Sequence, residues 1–146
     1  MITTKIKILA ISHAFIKKIN LSFYEELAEK KNFLITCICP RKIFLKNKYI
    51  YSDFGYYKGY IKTIKSNLKF KHSRLFYFQN LRQHIKSKNP EYILIDNDPV
   101  SIQSILIIIY SFFYNYKIIY FVNENEIFKN FRKNFKRKLI KLIFVF

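Results

Sequence analysis

Two groups of acidic and amide side chains are the part of the sequence best suited to chemistry. Asp96 and Asp98 follow one short apolar run, and Glu124 and Asn125 follow another. Carboxylates can accept a proton from a substrate hydroxyl or hydrogen-bond a polar ligand. In an open parallel sheet, ligands bind beyond the carboxyl ends of the strands. We therefore expect these two groups to lie side by side along one edge of a sheet.

The sequence around these groups predicts the elements that hold them. Apolar runs at residues 91–95 and 117–122 have strand length, and residues 99–116 between them are uncharged and too long for a strand. This pattern is typical of a strand, a crossover helix and a parallel strand. A segment of about 18 uncharged residues is also at the lower limit for a membrane span. Its serines and amides, and its place between two strands, favour a helix buried against a sheet.

The N-terminal part of the chain predicts a second unit of the same kind. Residues 5–12 predict a strand that ends at His13, and Asn20 is placed to cap the helix that follows. Acidic residues lie early in this helix and lysines lie late, which complements the helix dipole. Residues 34–39 predict the second strand. The order of first strand, helix and second strand indicates a right-handed strand–helix–strand unit.

The remaining segments complete the predicted fold. Residues 75–87 and 128–146 carry apolar side chains at helical spacing. Residues 41–71 form an irregular insert, rich in lysine and aromatic residues, with candidate short strands at 61–64 and 68–70. We therefore expect a single α/β domain over residues 1–146. It is doubly wound, with a mainly parallel Rossmann-like sheet and helices on both faces, and it is incomplete at the C-terminus.

The charge of the chain is strongly positive. Lys and Arg number 27 against 9 Asp and Glu, for a formal net charge of +18. Such an excess suggests an anionic partner. An A+T-rich genome would also raise the lysine content, but it would not explain why acidic residues are so few.

The two cysteines predict buried thiols. Cys37 and Cys39 are separated by one residue on a predicted strand, a spacing that matches no zinc or redox motif. We expect both thiols to be buried in a reducing cytoplasm. No cluster of His, Cys or carboxylate side chains has metal-ligand spacing, so no metal site is predicted.

The last predicted helix has a basic face. Lys133, Lys136, Arg137 and Lys141 lie between the apolar positions of residues 128–146, and no acidic residue accompanies them. A basic amphipathic helix can lie on an anionic membrane surface. A surface helix that packs its apolar stripe on the sheet explains the same pattern, and both interpretations can hold together.

Several stretches resemble a known family. The opening sequence, KIKILAISHAFIKKINLSFYEELAEKKNFLITCICP, resembles the start of family 4 glycosyltransferases of the two-domain GT-B type. In that family a first strand ends near a His, an Asn precedes a helix of the form YEELA, and the second strand ends in Pro. NPEYILIDNDPVSIQ and FVNENEIFKNF are similar to later stretches of the same family domain, the second with a Glu-Asn pair at its strand end. The resemblance covers most of the chain except residues 41–71.

The resemblance implies a function for the domain. It implies the N-terminal, acceptor-binding domain of an enzyme that transfers a sugar from a nucleotide sugar to a sugar or lipid-linked acceptor. Such enzymes bind the nucleotide sugar mainly through a second Rossmann domain, and this chain stops before one. A truncated or split gene product, inactive alone, is therefore expected, with a separate C-terminal donor-binding domain as partner. The resemblance implies no cofactor in this chain, the nucleotide sugar being a co-substrate of the full enzyme.

The resemblance also suggests residue roles. Asp98 is the candidate catalytic base, held at the sheet edge by a helix that starts at Pro99, although helix capping explains an Asp at this position as well. Many family members carry glycines after the first strand, and this chain has none there. The expected location is cytoplasmic, peripheral at the inner face of the plasma membrane. The residues expected to bind the acceptor are His13, Asp96, Glu124 and Asn125.

A basic nucleic-acid-binding module is the alternative function. Lysine and aromatic residues are interleaved in residues 41–71, as in platforms that bind single strands. No recognised RNA-binding motif accompanies them. Nucleic acid is therefore the less favoured partner.

Overall fold

The computed structural model describes residues 5–30, 32–53, 61–70, 75–96 and 101–121. A five-stranded parallel sheet lies at the centre of this part of the chain. Its strands are β1 (Ile6–Ile11), β2 (Phe33–Pro40), β5 (Lys62–Ser66), β8 (Tyr92–Ile95) and β9 (Lys117–Tyr120). Two antiparallel pairs stand beside it, β3 (Lys42–Leu45) with β4 (Lys48–Tyr51) and β6 (Leu68–Lys69) with β7 (Tyr77–Phe78). The helices are α1 (Ser22–Glu29), α2 (Leu81–Lys88) and α3 (Ile102–Ser111).

The strand order defines the topology. The order across the sheet is β5-β2-β1-β8-β9. Counted along the chain among the five sheet strands, this is the 3-2-1-4-5 order of a Rossmann-like sheet. The order reverses at β1, which pairs with β2 on one side and β8 on the other. The predicted doubly wound α/β fold is confirmed, and the reversal places a crevice at the carboxyl end of β1.

The core has two layers because successive side chains of a strand point to opposite faces. Ile8 and Ala10 of β1 pack in the layer that contains Tyr24 and Ala28 of α1. The alternate β1 residues Leu9 and Ile11 pack in the other layer, together with residues of α2 and α3. Helices therefore cover both faces of the sheet. This burial explains why the central strands are apolar without alternation.

The start of α1 differs from the prediction for Asn20. Two short 3₁₀ turns, His13–Ile16 and Lys18–Leu21, follow β1, and the second runs directly into α1. Asn20 lies inside that turn, where its Nδ2 donates to the carbonyl oxygen of Ala14 at 2.6 Å. Leu21 occupies the N-cap position and makes no side-chain cap hydrogen bond. The prediction that Asn20 caps the helix is therefore wrong, because the side chain is used within the turn.

The segment predicted as a helix at residues 75–87 is helical only in its second part. Tyr77 and Phe78 form β7, and the helix begins at Leu81. The backbone of Asn80 is left-handed, with φ of 59°, a conformation that Asn tolerates and that breaks a helix. The carbonyl oxygen of Gln79 accepts a hydrogen bond from the Ser66 hydroxyl at 2.7 Å, which ties this turn to the end of β5.

The uncharged segment folds as a helix shorter than predicted. The helix α3 begins at Ile102, and Ser101 caps it by accepting a hydrogen bond from the backbone N–H of Ser104. The prediction that the helix starts at Pro99, and the alternative that Asp98 caps it, are therefore wrong. The helix ends at Ser111. At 10 residues α3 cannot cross a bilayer. No helix among the described residues is both long and apolar enough to do so.

Two predictions within residues 33–66 are also decided. The candidate strand at 61–64 is β5, which forms the edge of the sheet beside β2 and is not part of an irregular insert. Cys37 and Cys39 of β2 are buried and form no disulfide, so the prediction of two buried thiols is confirmed. Burial raises the pKa of both thiols, that of Cys39 to about 12.

Candidate functional site

The carboxyl ends of β1 and β8 meet at Ser12 and Asp96. The backbone N–H of Asp96 donates to the carbonyl oxygen of Ile11 at 3.1 Å. The hydroxyl of Ser12, which is fully buried, lies 2.9 Å from the carbonyl oxygen of Asp96 and 3.2 Å from its Oδ2. The same hydroxyl accepts a hydrogen bond from the backbone N–H of Ala14 at 3.0 Å. Ser12 therefore fixes the Asp96 carboxylate at the strand edge.

Tyr24 of α1 completes this arrangement. Burial raises the pKa of Tyr24, and the negative charge of Asp96 raises it further, so the phenol lies within electrostatic reach of that carboxylate. The Tyr24 ring packs edge-on against Phe15, with the ring centroids 5.0 Å apart. The phenol therefore stays protonated at neutral pH. We call Ser12, Tyr24 and Asp96 the carboxylate junction.

Sequence patterns predicted Asp96 but missed Ser12 and Tyr24. Ser12 is the small polar residue that follows an apolar strand, and its position next to His13 is the signal that could have identified it. Tyr24 occupies an apolar position of α1, so its pattern indicates only packing. The electrostatic influence of Asp96 on Tyr24 depends on the tertiary structure, and no spacing in the sequence reveals it.

His13 lies at the same edge as Asp96, because it directly follows Ser12. Its ring packs edge-on against Phe76, with the ring centroids 5.1 Å apart. His13 is partly exposed and lines a cavity of about 350 Å³. The structure thus places His13 and Asp96, the two predicted binding residues within its described part, at the same edge of the sheet.

The cavity opens beyond the carboxyl ends of β1, β2 and β5, and we call it the aromatic cleft. Its lining is mainly apolar, with His13 and Lys42 as polar groups. A cleft of this size with few polar groups is suited to a ligand with an apolar part and an oriented polar part. The lining residues are His13, Lys42, Ile43, Phe44, Leu45, Tyr49, Leu68, Phe70 and Phe76.

The β3–β4 hairpin forms one wall of the cleft, and its base is anchored. The backbone N–H of Arg41 donates to the carbonyl oxygen of Ser66 at 3.0 Å, and that of Ser52 donates to the carbonyl oxygen of Arg41 at 3.1 Å. Asp53 Oδ1 accepts from the backbone N–H of Lys18 at 2.8 Å. A salt bridge joins Asp53 to Lys17 with an N–O distance of 3.6 Å. The wall is therefore tied both to β5 and to the turns after β1.

A second cavity lies at the opposite edge of the sheet. Its volume is about 100 Å³, and Lys7, Lys62 and Lys88 are among the residues that line it. It is much smaller than the aromatic cleft and lies away from the carboxylate junction. We therefore assign the candidate site to the carboxyl edge.

Several predicted site residues lie outside the described residues. They are Asp98, Glu124, Asn125, Lys133, Lys136, Arg137 and Lys141. The chain does leave β9 next to Asp96, because the backbone N–H of Phe121 donates to the carbonyl oxygen of Ile95 at 2.8 Å. Among the described residues, no group of three His, Cys, Asp or Glu side chains is placed to hold a metal ion.

Fold and site together define a Rossmann-like α/β domain with a cleft at its carboxyl edge. Comparisons of the chain with protein-family models, with curated proteins and with solved structures found no match. Function must therefore be argued from the site itself, because a Rossmann-like fold hosts many activities.

Proposed function

We propose that the chain is the acceptor-binding domain of a GT-B glycosyltransferase, which transfers a sugar from a nucleotide sugar to a sugar or lipid-linked acceptor. The observation that carries the proposal is the aromatic cleft beside His13 at the carboxyl edge. The ordered motifs of the sequence support the same assignment. A separate donor-binding domain is the partner that the reaction would require.

The proposed acceptor lies in the aromatic cleft. Aromatic rings supply apolar contact area for the faces of a sugar ring or for a lipid chain. His13 and Lys42 lie on the lining and can hydrogen-bond acceptor hydroxyl or phosphate oxygens. Such a division between apolar and polar contacts suits a glycolipid better than a free nucleotide.

In this proposal the carboxylate junction, at the same sheet edge as the cleft, supplies the polar end of the site. The Ser12 hydroxyl fixes Asp96, which is then available to orient an acceptor hydroxyl. In this proposal Asp98 serves as the base that takes the proton of that hydroxyl, and Glu124 and Asn125 contact the acceptor from the next strand end. A base that is positioned in this way contributes about 10²–10⁴-fold to rate.

The proposed location is the cytoplasmic face of the plasma membrane, where lipid-linked acceptors are found. The net charge of +18 suits an anionic leaflet. Lys133, Lys136, Arg137 and Lys141 are the residues that the sequence predicts for this contact.

A titration with a small glycolipid tests the proposal. The probe is octyl β-D-glucoside below its critical micelle concentration, added to the ¹⁵N-labelled full chain. We expect saturable changes in chemical shift at the backbone amides of His13, Phe44 and Phe76. His13→Ala should weaken binding about fivefold, the effect of losing one contact of about 1 kcal/mol.

His84→Ala is the matched control, because His84 is partly buried on α2 and does not line the cleft. This variant should bind the glucoside like the unmodified chain. Shifts that rise linearly without saturation, or equal weakening in both histidine variants, would show that the cleft does not bind glycolipid.

A further inference from the structure

The turn end of the β3–β4 hairpin, residues 45–49, is exposed to solvent. The two strands of the hairpin are joined by a two-residue turn, in which Lys46 and Asn47 both have left-handed backbone, with φ of 48° and 61°. A turn with two positive φ values matches the right-handed twist of the two strands that it joins. The anchored base described above leaves the turn end as the part that extends from the domain.

Large apolar side chains face solvent near the turn, at Leu45 and Tyr49, and at the base of the hairpin, at Tyr51. Leu45 is 46% exposed, Tyr49 is 45% exposed and Tyr51 is 64% exposed. Ile43, one step inward on β3, is buried and holds the hairpin to the domain. Folding alone does not account for three exposed apolar side chains on one short hairpin. Tyrosine is enriched where apolar and aqueous phases meet, because its ring is apolar and its hydroxyl is polar.

The charge of the hairpin is entirely positive. Lys42, Lys46 and Lys48 lie within it, and no acidic residue occurs between Arg41 and Ser52. Lys46 and Lys48 are exposed at the turn, beside Leu45 and Tyr49. Such a hairpin complements a surface whose outer layer is anionic, which the lysines contact, and whose interior is apolar, which Leu45 and Tyr49 contact. An anionic lipid bilayer has this chemistry.

We infer that the turn end of the hairpin, residues 45–49, is a membrane-contact element for anionic lipid. Leu45 and Tyr49 enter the headgroup region, and Lys46 and Lys48 contact lipid phosphates. Because Leu45 and Tyr49 also line the aromatic cleft, the cleft then opens toward the bilayer. The inference rests on the hairpin surface and does not depend on the proposed glycosyl transfer.

A single-stranded nucleic acid would meet the same charges, but the ring geometry favours lipid. The Tyr49 and Phe44 rings pack edge-to-face, with the centroids 5.1 Å apart, and Lys42 Nζ lies over the Tyr49 ring, 4.8 Å from its centroid. Base stacking needs an open aromatic face. Leu45, at the turn, offers no such face.

Sedimentation with vesicles tests the inference on the full chain. The vesicles contain phosphatidylcholine with about one-third phosphatidylserine, or phosphatidylcholine alone. The charge variant combines Lys46→Glu with Lys48→Glu, and its matched control combines Lys86→Glu with Lys88→Glu on α2. Both pairs are exposed, have the same spacing and change the net charge equally. Each lysine near an anionic surface raises partitioning onto the vesicles about fivefold. The hairpin variant should therefore bind the anionic vesicles at least about 10-fold more weakly than the unmodified chain, and the control less than about 3-fold more weakly.

The apolar contact is tested with a second pair of variants. Leu45→Ser with Tyr49→Ser should remove the part of the binding that survives high salt. Ile105→Ser with Phe112→Ser changes two exposed apolar side chains, one on α3 and one at its C-cap, and should leave that part unchanged. Far-UV circular dichroism on each variant confirms that the fold is kept.

Three outcomes would overturn the inference. Equal loss in the two lysine variants would show that only net charge matters. Full binding by both hairpin variants, with loss on changing Lys133, Lys136, Arg137 and Lys141 to Glu, would place the contact in the C-terminal segment. Binding to a single-stranded uridine oligonucleotide that depends on the hairpin, without binding to vesicles, would identify nucleic acid as the partner.

Discussion

The carboxylate junction and the β3–β4 hairpin lie at the same strand edge but differ in burial and in bonding. At the junction, Ser12 is fully buried and its hydroxyl contacts Asp96 and Ala14. On the hairpin, Leu45 and Tyr49 are about half exposed although both are large and apolar. The first region hides polar groups from water, and the second presents apolar groups to it.

The difference in burial indicates which region stabilises the fold and which region is available to bind a ligand. A buried hydroxyl is tolerated only when it is hydrogen-bonded, so the junction must keep one geometry. An exposed apolar side chain adds little to folding, because it keeps much of its contact with water. The junction therefore positions groups, whereas the hairpin offers a surface that is still available for binding. The predictions that follow test this contrast, in order of expected effect on stability.

The largest effect is expected from truncating an aromatic ring beside the junction. Phe15 is fully buried and packs against Tyr24. Phe15→Ala should lower the free energy of unfolding by about 3–5 kcal/mol, because it leaves a cavity in the core. Tyr49→Ala on the hairpin should lower it by less than about 1 kcal/mol. Urea denaturation of both variants measures the contrast, and equal losses would show that the hairpin is as integral to the core as the junction.

The next effect isolates the buried hydroxyl. Ser12→Ala should lower the free energy of unfolding by about 1–3 kcal/mol, because the Ala14 N–H and the Asp96 carbonyl lose a buried partner. Ser22→Ala is the control, since the Ser22 hydroxyl bonds the carbonyl oxygen of Ile19 on the exposed side of the chain. The control should change stability by less than about 0.5 kcal/mol. If the Ser12 variant were as stable as the control, a water molecule would have replaced the hydroxyl, and the junction would be accessible to solvent.

The sequence predicted the junction half of the fold better than the cleft half. The strands β1, β2, β8 and β9 were predicted because apolar runs of strand length are a local signal. Asp96 was predicted for the same reason, since it directly follows such a run. Its hydrogen bond to Ser12 joins residues 84 positions apart, so no local pattern could reveal it.

The cleft half was harder to predict because it depends on contacts between irregular segments. The hairpin turn has Lys46 and Asn47 in place of the Asn-Gly pair that marks such turns, so it carries a weak signal. β5 was predicted only as a candidate short strand at 61–64, within an irregular insert, because its lysines and serine interrupt the apolar pattern. β7 was predicted as helix because its apolar residues also fit helical spacing, and the left-handed Asn80 that ends the segment is visible only in the structure.

A third prediction concerns this hairpin turn. Lys46 pays a steric penalty for its positive φ, and Gly at position 47 would adopt that backbone freely. Lys46→Asn with Asn47→Gly should therefore raise the free energy of unfolding by about 0.5–1 kcal/mol. Lys48→Asn, which alters an extended residue of β4, should give no gain. Thermal unfolding of the two variants is the measurement, and a loss of stability in the first would show that the turn is held by contacts beyond its own backbone.

The smallest expected effect is a pH dependence at α2, a helix that packs in the core away from the hairpin. Burial lowers the pKa of His84 on α2, and the charge of Lys88 lowers it further. Because the folded pKa is below the unfolded value of about 6.5, the unfolded chain binds more protons between the two values. The contribution of neutral His84 to the free energy of unfolding is therefore fully present above about pH 6.5. It is lost as the pH falls through the lower pKa that His84 has in the folded chain. The side chain is partly exposed, so solvent screening keeps the effect below about 0.5 kcal/mol. Urea midpoints at pH 5.5 and 7.5 should differ less in His84→Gln than in the unmodified chain, whereas Lys48→Gln on the hairpin should leave that difference unchanged. A difference that His84→Gln does not reduce would assign the pH dependence to another group.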